Sequence, residues 1–378
     1  MQKTEKLQVF YKNKKVGTMA LYKNALAAFA YDEEWMAEGF SISPFSLPLR
    51  SQVFMPKVEP FGGLFGVFAD SLPDGWGRLL VDRMLLKYGI DPGSIGNLER
   101  LSIVGSSGMG ALRYEPERTF EKKEGVPDLD RIAAECAAVL QSGHADDLDE
   151  LFRLGGSSGG ARPKILTQID DADWIVKFPS GSDSKEIGLQ EYEYSICAKA
   201  CGIEMTETRL FPSACCAGYF GVKRFDRQTV NGKKEKVHMV SVAGLLETSH
   251  RIPNLDYDLL MKLTLSLTRD FTEIEKLYRI MCFNVFAHNR DDHSRNFSYL
   301  FDAGQRRWQL APAYDLTFSY SLGGEHATSV HGNGKNPGMA DILAVAGEIG
   351  MELQKAKRIA EEIRECVNAK LKKYLKAK

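Results

Sequence analysis

The sequence predicts an α+β protein in which a strand-rich first part is followed by a helical second part. The chain has 378 residues, which is too long for one compact hydrophobic core and fits two or three domains. Up to about residue 230, apolar residues occur in short runs separated by turn residues, as in strands. From about residue 255 they recur at helical spacing, ending in a helix that carries Ile359, Ile363, Val367, Leu371 and Leu375.

The composition is that of an ordinary globular protein. Hydrophobic residues make up 44% and charged residues 26%, which excludes collagen-like, coiled-coil and wholly disordered chains. The 49 Lys and Arg residues balance 50 Asp and Glu residues, so bulk charge gives no support for a dedicated nucleic-acid-binding protein. No secretory signal and no apolar run of membrane-spanning length occurs, so we expect a cytoplasmic protein without membrane contact.

The seven cysteines are scattered along the chain. No CxxC pair is repeated, so a structural zinc site is not expected. We interpret the cysteines as free thiols in a reducing compartment.

The first domain is predicted to begin with a meander of three strands, at residues 7–11, 16–22 and 25–31. Helical spacing follows at Leu79 to Leu85. A short pair of strands is expected around Leu101 to Tyr114, with the glycine-rich run Gly105–Gly110 as the turn between them.

A polar stretch from Glu115 to Asp130 contains few apolar residues and marks the end of the first domain. Beyond it, the patterns predict in chain order two helices, a hairpin, a helix and a strand, at about 132–140, 147–154, 165–178, 190–200 and 219–225. The predicted domains therefore span residues 1–120, 121–235 and 236–378.

The segment Gly155 to Lys164 contains four glycines and two serines, Ser157 and Ser158. Glycines such as Gly159 and Gly160 let backbone N–H groups approach an anion closely, as phosphate-binding loops require. The run is not a Walker A motif, because no Ser or Thr follows Lys164. The alternative is a flexible linker.

Lys177 lies near the end of the predicted strand that follows this loop. A lysine on such a strand is how kinases hold nucleotide phosphates. The following helix offers Glu191 and Glu193, either of which could orient Lys177 as an ion pair. The alternative is a solvated lysine on an edge strand and two solvated glutamates.

The strongest signal is the charged segment His288 to Asn296, which follows an apolar helix. Asn296 lies five positions after Asp291, the Asp-x-x-x-x-Asn spacing of a kinase catalytic loop. A predicted hairpin then returns the chain to Asp315, so that Asn296 and Asp315 could hold Mg²⁺ carried by ATP. Asp291 would accept the proton of the acceptor hydroxyl, with the adjacent Asp292 as the alternative base. The competing interpretation is a polar turn rich in Asn and Asp.

Taken together, these motifs resemble the HipA-type serine/threonine protein kinases, the toxin halves of bacterial toxin–antitoxin pairs. The resemblance covers nearly the whole chain and rests on Phe65 to Trp76, Arg224 to Arg227, the segment Asp291-x-His293-x-x-Asn296 and the pair Tyr314-Asp315. It implies a protein-kinase-like bilobal core, with a β-rich N-lobe and an all-helical C-lobe, preceded by a small α/β N-terminal subdomain.

The resemblance also implies roles for individual residues. Asp291 would be the catalytic base, Asn296 and Asp315 the metal ligands, and Lys177 the phosphate-holding lysine, with His293 near the phosphates. Autophosphorylation of a serine in the glycine-rich loop would switch the kinase off. Ser157 matches that serine, and the adjacent Ser158 leaves the choice open.

The implied partners are a helix-turn-helix antitoxin, which would bring operator DNA only indirectly, and a protein substrate such as an aminoacyl-tRNA synthetase. Two alternatives stay open on the residues alone. One is a small-molecule kinase with the same catalytic core. The other is a catalytically silent component of an antitoxin–operator complex.

Overall fold

The computed structural model describes residues 4–23, 25–118, 127–142, 147–230 and 232–375. The chain forms two compact units. The first unit comprises Met1–Leu189 with Arg209–Thr248, and the second comprises Gln190–Thr208 with Ser249–Lys378. The centre of the predicted linker, residues 119–126, lies outside the described residues. The predicted division into three domains stays a prediction.

The first unit begins with a five-stranded antiparallel sheet in the order β4-β3-β2-β1-β5. Leu7, Val9 and Tyr11 are buried and alternate with more exposed neighbours, so one face of the sheet covers the core. The predicted meander is confirmed. The elements here are β1 (Lys6–Tyr11), β2 (Lys14–Tyr22), β3 (Leu26–Tyr31), α1 (Glu33–Glu38), β4 (Val53–Phe54), α2 (Gly66–Ala69), α3 (Gly75–Lys87), α4 (Asn97–Val104) and β5 (Leu112–Glu115).

The strand pair predicted around Leu101 to Tyr114 is wrong in its first half. Leu98, Leu101 and Val104 are buried at helical spacing on α4, so this segment packs as a helix. Gly105 ends the helix at a φ of +52°, a conformation that favours glycine. The run Gly105–Gly110 therefore connects a helix to strand β5 rather than two strands.

A second antiparallel sheet, in the order β6-β7-β9-β8, follows in the first unit. Asp170 and Asp171 both have positive φ and form the tight turn of the predicted hairpin. The elements in this stretch of the chain are α5 (Leu129–Ser142), α6 (Leu148–Gly155), β6 (Lys164–Ile169), β7 (Ala172–Lys177), α7 (Ile187–Ala200), β8 (Thr208–Phe211), β9 (Tyr219–Lys223), β10 (Arg227–Val230), β11 (Lys233–Lys236), β12 (His238–Ser241) and α8 (Val242–Leu246). Of these, α7 lies mostly in the second unit.

One hydrophobic core joins the N-terminal helices to this second sheet. It includes Trp76 and Leu80 of α3, Leu151 of α6, and Trp174 and Val176 of β7. All five side chains are buried, so helices α3 and α6 pack on the second sheet.

Helices α2 and α8 pack against each other at a pair of glycines. A Cβ on Gly66 would lie 2.5 Å from the Cα of Gly244, so neither position accepts a side chain without a shift. The Asp70 carboxylate accepts hydrogen bonds from the backbone N–H and the hydroxyl of Ser241, each at 2.7 Å. These contacts place the segment predicted as a family signature inside the packing of the first unit.

The second unit is mainly helical, with α10 packed against α9 and α12. The sequence predicts helices only, apart from the hairpin after Asn296. The structure also contains a short parallel strand pair, β13 with β16. None of the helices in the described ranges offers the stretch of apolar residues that a bilayer crossing requires. The elements are β13 (Leu255–Asp256), α9 (Tyr257–Thr268), α10 (Phe271–Phe286), β14 (Ser298–Asp302), β15 (Arg307–Leu310), β16 (Thr328–Ser329), α11 (Met339–Glu348), α12 (Leu353–Lys370) and α13 (Lys372–Leu375).

Candidate active site

The charged loop predicted at His288 to Asn296 leaves the end of α10 in the second unit. Its entry is fixed by the buried amide of Asn289, whose Nδ2 donates to Oδ1 of Asn284 on α10 at 2.9 Å. Its middle is fixed by backbone contacts, because Ala327 N–H donates to the carbonyl of Arg290 at 3.0 Å. The loop is therefore held from both sides by the chain around it.

The two adjacent aspartates of this loop have opposite environments. Asp292 is 1% exposed and accepts hydrogen bonds from the hydroxyl of Tyr257 at 2.9 Å and from the N–H of Thr328 at 3.1 Å. Its carboxylate is also 3.0 Å from Nδ1 of His326. Burial, and then the Asp292 charge, raises the pKa of Tyr257, which keeps that hydroxyl a donor. These contacts of the Asp292 carboxylate thus stabilise the fold of the second unit.

Asp291, by contrast, points its carboxylate toward solvent. Its side chain is 64% exposed, and its Oδ1 lies 3.9 Å from Nε2 of His293. An exposed carboxylate beside an imidazole can approach a hydroxyl group of an incoming molecule. This geometry favours Asp291 over Asp292 as a proton acceptor.

Asn296 closes the loop back on Asp291. Its Nδ2 donates to the backbone carbonyl of Asp291 at 2.6 Å, and its N–H donates to the carbonyl of His293 at 2.8 Å. The side-chain bond uses the amide nitrogen and leaves the Oδ1 oxygen as a ligand atom. The ring of His293 is 5.3 Å from that of His250, and its Nδ1 accepts from the N–H of Arg295 at 3.3 Å.

The predicted hairpin returns the chain to this loop. Ala311 N–H donates to the carbonyl of Ser298 at 2.8 Å across β14 and β15. The Tyr314 hydroxyl donates to the carbonyl of Arg295 at 2.6 Å, which ties the residue before Asp315 to the loop. Asp315 has a φ of +53°, a left-handed conformation that Asp adopts more readily than most side chains.

Some buried polar atoms of the loop find no hydrogen-bond partner among the described residues, among them Oδ1 of Asn289, Nε of Arg290 and Oγ of Ser294. Buried polar atoms are otherwise almost always paired, and functional sites are a frequent exception. The guanidinium nitrogen of Arg290 cannot ligate a cation, whereas the side-chain oxygens of Asn296 and Asp315 are hard donors of the kind that a hydrated divalent cation such as Mg²⁺ takes.

The glycine-rich loop lies in the first unit and is already in contact with an anion. The N–H of Gly160 donates to the carboxylate of Asp74, and its carbonyl accepts from the N–H of Trp76 at 2.9 Å. Gly160 has a φ of +89°, which favours glycine. A Cβ on Gly159 would lie 3.2 Å from Oδ1 of the same aspartate. In this structure a backbone N–H of the loop therefore donates to a carboxylate of the same chain, that of Asp74.

The two serines of the loop differ in accessibility. Ser158 is 1% exposed, and its hydroxyl donates to the carbonyl of Gly155 at 2.6 Å. Ser157 is half-buried, and its hydroxyl donates to the carbonyl of Ser107 at 3.2 Å. A modifying group reaches Ser157 with less rearrangement than Ser158.

Two lysines stand opposite each other on neighbouring strands of the second sheet. Lys164 of β6 pairs in register with Lys177 of β7, so their side chains share one face of the sheet. The Nζ of Lys164 would lie 2.5 Å from a Cβ placed on Gly160, and the Nζ of Lys177 is 5.5 Å from the ring centre of Phe220. Like charges in register destabilise a sheet, so this face favours an anion.

The glutamates proposed as partners of Lys177 both lie on α7, in the part that belongs to the second unit. Glu191 is 4% exposed, and its predicted pairing with Lys177 of the first unit stays a prediction. Glu193 is bound elsewhere, because it accepts hydrogen bonds from Lys373 at 2.8 Å and from the Tyr374 hydroxyl at 2.7 Å. We therefore exclude Glu193 as the partner of Lys177.

Several residues with a clear part in the site were not assigned a role from sequence. Asp74, which binds Gly160, belongs to the signature Phe65 to Trp76, and that membership was the only available signal. Tyr257 and His326, which support Asp292, carried no signal, because each lies more than thirty positions from it in the chain.

Comparison with models of known protein families identifies the family of this chain. The model of the HipA-like C-terminal domain matches residues 156–371, and that of the HipA N-terminal domain matches residues 7–115. The chain belongs to the HipA family. A relative described as putative kinase Y4mE, from Sinorhizobium fredii, is 26% identical over 340 residues, which are 82% of this chain and 76% of the relative.

A solved structure shows the same fold over nearly the whole chain. A chain of the HipA, HipB and operator DNA complex from the Shewanella oneidensis MR-1 toxin–antitoxin system is similar with a TM-score of 0.70 and 16% identity, over 98% of this chain and 91% of that chain. The Helicobacter pylori proinflammatory kinase CtkA gives a TM-score of 0.37 at 14% identity, over 57% of this chain and 89% of that chain. The predicted α+β, protein-kinase-like fold of the HipA type is confirmed.

Proposed function

We propose that this protein is a Mg·ATP-dependent serine/threonine protein kinase of the cytoplasm that arrests growth as the toxin of a toxin–antitoxin pair. The observation that carries the proposal is the contrast between the two aspartates of the charged loop. Asp292 is buried in a structural network, whereas Asp291 is exposed and tied through its carbonyl to Asn296. The Asp291 carboxylate therefore faces solvent while its backbone is fixed by Asn296, as a proton acceptor for an incoming hydroxyl requires.

In the proposed reaction, Asp291 orients the acceptor hydroxyl of the substrate and accepts its proton. Asn296 and Asp315 hold the metal through their oxygens, and His293 lies beside Asp291 to interact with phosphate oxygens. Bound Mg·ATP supplies the phosphoryl group that is transferred. The oxygen-rich donor set of Asn296 and Asp315 supports this cofactor.

The first unit supplies the proposed phosphate-binding residues. Lys177 and Lys164 present two ammonium groups on one face of the sheet, and Gly159 and Gly160 give close access to backbone N–H groups. Glu191 is proposed to orient Lys177. For ATP phosphates to use the Gly160 N–H, they must displace the Asp74 carboxylate.

Autophosphorylation in the glycine-rich loop is proposed to inactivate the kinase. Ser157 is the better candidate, because Ser158 is buried and hydrogen-bonded within the loop. A phosphate on Ser157 would compete with ATP phosphates for the same N–H groups and repel them.

The proposed partner is a helix-turn-helix antitoxin of the HipB kind, which would bring operator DNA to this chain indirectly. The fold likeness to a chain of the Shewanella complex supports such a partner. The balanced charge of the chain, with 49 basic and 50 acidic residues, supports an indirect role for DNA. The proposed substrate is a protein of translation such as an aminoacyl-tRNA synthetase, whose phosphorylation would stop growth.

The proposal is tested by incubating purified wild type and Asp291→Asn with radiolabelled Mg·ATP and mapping phosphate by intact mass and peptide mass spectrometry. We expect phosphate on Ser157 in the wild type and none in Asp291→Asn. Asp302→Asn, at the turn of the hairpin, serves as the matched control and keeps full transfer, because its amide oxygen still accepts from the N–H groups of Gly304 and Gln305. Equal transfer by wild type and Asp291→Asn would overturn the assignment of the base.

The toxin role needs a separate measurement in cells. Induced wild type is expected to arrest growth, and Asp291→Asn is expected to permit it at the same protein level. Equal arrest by both would show that toxicity does not depend on phosphoryl transfer.

A further inference from the structure

Three cysteines of the second unit form a cluster that has no part in the proposed phosphoryl transfer. Cys197 and Cys201 lie one turn apart at the C-terminal end of α7, and Cys366 lies on α12. The three Sγ atoms are all within 4.8 Å of one another. Cys197 and Cys201 are buried and Cys366 is half-buried, so the cluster is enclosed but reachable from one side.

We propose that this thiol cluster, Cys197, Cys201 and Cys366, binds a thiophilic d10 metal ion, Zn²⁺ or Cu⁺, through three thiolate sulfurs. Each ligating sulfur gives up its proton to solvent when the ion binds, and no electrons are transferred. The ion would join α7 to α12 within the second unit. This proposal does not depend on the proposed kinase activity.

The geometry of the cluster is close to what such an ion needs. Zn–S bonds are about 2.3 Å long, which places the sulfurs of a three-thiolate site roughly 4 Å apart. From separations of up to 4.8 Å, the sulfurs need to approach by less than about 1 Å. Residues i and i+4 of a helix share one face, so Cys197 and Cys201 already point together toward Cys366.

The chemistry of the cluster selects the class of ion. Sulfur ligands favour Zn²⁺ and Cu⁺, whereas Mg²⁺ and Ca²⁺ require oxygen. Three thiolates around Zn²⁺ leave one net negative charge. Lys370, one turn after Cys366 on α12, interacts electrostatically with Cys197 and Cys366 and offsets that charge.

The thiols are also in mutual contact without a metal. The Sγ atoms of Cys197 and Cys201 lie within 4.8 Å of each other, and Cys197 Sγ lies 4.0 Å from the carbonyl of Cys366. Cys282 of α10 is equally buried but stands outside the cluster, which makes it the matched control.

The test uses the full-length, reduced and metal-free protein. Zn²⁺ is added in one arm and Cu⁺ under anaerobic conditions in the other, and bound metal is counted by mass spectrometry of the element after desalting. We expect one tightly bound ion per chain in at least one arm, lost in Cys366→Ser and kept in Cys282→Ser. A double variant, Cys215→Ser with Cys216→Ser, excludes binding at that pair outside the cluster and is also expected to keep the ion.

A second measurement needs no variant and so does not depend on the folding of Cys366→Ser. The bound ion is expected to slow the alkylation of Cys366 at least tenfold in the wild type, leave the alkylation of exposed Cys215 unchanged, and raise the melting temperature by roughly 5 °C. The proposal is overturned if neither ion binds. It is equally overturned if the bound ion protects Cys215 instead of Cys366, or disappears in the Cys215 and Cys216 double variant.

Discussion

The side-chain Nδ2 of Asn296 donates a 2.6 Å hydrogen bond to the backbone carbonyl of Asp291. The proposed base and one proposed metal ligand are therefore tied together by a single bond across the loop. Because the bond uses the amide nitrogen, the orientation of the Asn296 oxygen is fixed at the same time.

Replacing Asn296 tests this coupling. We expect Asn296→Ala to lower phosphoryl transfer by about 100-fold, since it removes a metal ligand and frees the loop that carries Asp291. The lost hydrogen bond should cost only about 1 kcal/mol of unfolding free energy. Single-turnover kinetics and urea unfolding measure the two effects. Asn336→Ala, before α11, should change neither, and a fully active Asn296→Ala would remove Asn296 from the site.

The two aspartates of the loop should separate stability from activity. Asp292→Ala leaves the Tyr257 hydroxyl and the Thr328 N–H buried without an acceptor, so we expect a loss of about 3 kcal/mol in the free energy of unfolding. Asp291→Ala should cost less than about 0.5 kcal/mol because its side chain is exposed, while abolishing transfer. Urea unfolding of both variants decides this, and equal losses would contradict the assignment.

The paired lysines of the first unit should respond to anions. Lys177→Met is expected to weaken nucleotide binding at least tenfold, since one of the two ammonium groups opposite each other on β6 and β7 is removed. Calorimetric titration with ATP measures the effect. Lys185→Met, on an exposed segment, is the matched control and should bind as the wild type does. An unchanged dissociation constant in Lys177→Met would show that the phosphates bind elsewhere.

The Asp74 carboxylate on the glycine-rich loop should oppose nucleotide binding. Asp74→Asn removes a negative charge that is hydrogen-bonded to Gly160, so we expect ATP to bind several-fold more tightly. The same variant should lower the melting temperature by a few degrees, because the tie between the loop and α3 is weakened. Asp91→Asn is the control. Weaker ATP binding in Asp74→Asn would mean that Asp74 shapes the loop for the nucleotide instead.

Acid should weaken the first unit through Asp226. Burial raises the pKa of Asp226, but the guanidiniums of Arg224 and Arg227 outweigh it and lower the pKa to about 2, from an ordinary value of 3.8. The ionised form therefore stabilises the fold above about pH 4, and this contribution is lost as the pH falls from about 4 to about 2.

We expect Asp226→Asn to lower the free energy of unfolding by at least about 2 kcal/mol at pH 7. The difference from the wild type should shrink between pH 4 and pH 2. Urea unfolding at several pH values measures it. A difference that stays constant with pH would show that the charge of Asp226 is not the cause.

The sequence was informative where the physical signal is local. The pattern of apolar runs and turn residues identified β1, β2 and β3 of the first sheet and β6, β7 and β9 of the second, but not β4 or β8. The spacing of Asp291, Asn296 and Asp315 identified the loop and its returning hairpin. These features depend on residues close together in the chain. Their local structure follows from periodicity and turn chemistry alone.

The rest of the site depends on contacts between distant segments. Asp292 differs from Asp291 only because Tyr257, His326 and Thr328 converge on it from three other elements, and no spacing rule reveals that. Likewise, Asp74 lies 86 positions before Gly160. The helix at Leu101 was missed for a different reason, because a short apolar run can serve as strand or helix until its packing is known.

The close approach of Gly66 to Gly244 has a consequence for the evolution and the truncation of such chains. The HipA N-terminal model ends at residue 115 and the C-terminal model begins at residue 156, which suggests two separable modules. The packing of α2 on α8 contradicts that, since a chain that keeps only residues 156–371 would expose α8 and leave Ser241 without its aspartate. An exchange of the N-terminal module between relatives would have to preserve the close contact between Gly66 and Gly244. We therefore expect Gly66 and Gly244 to be inherited together.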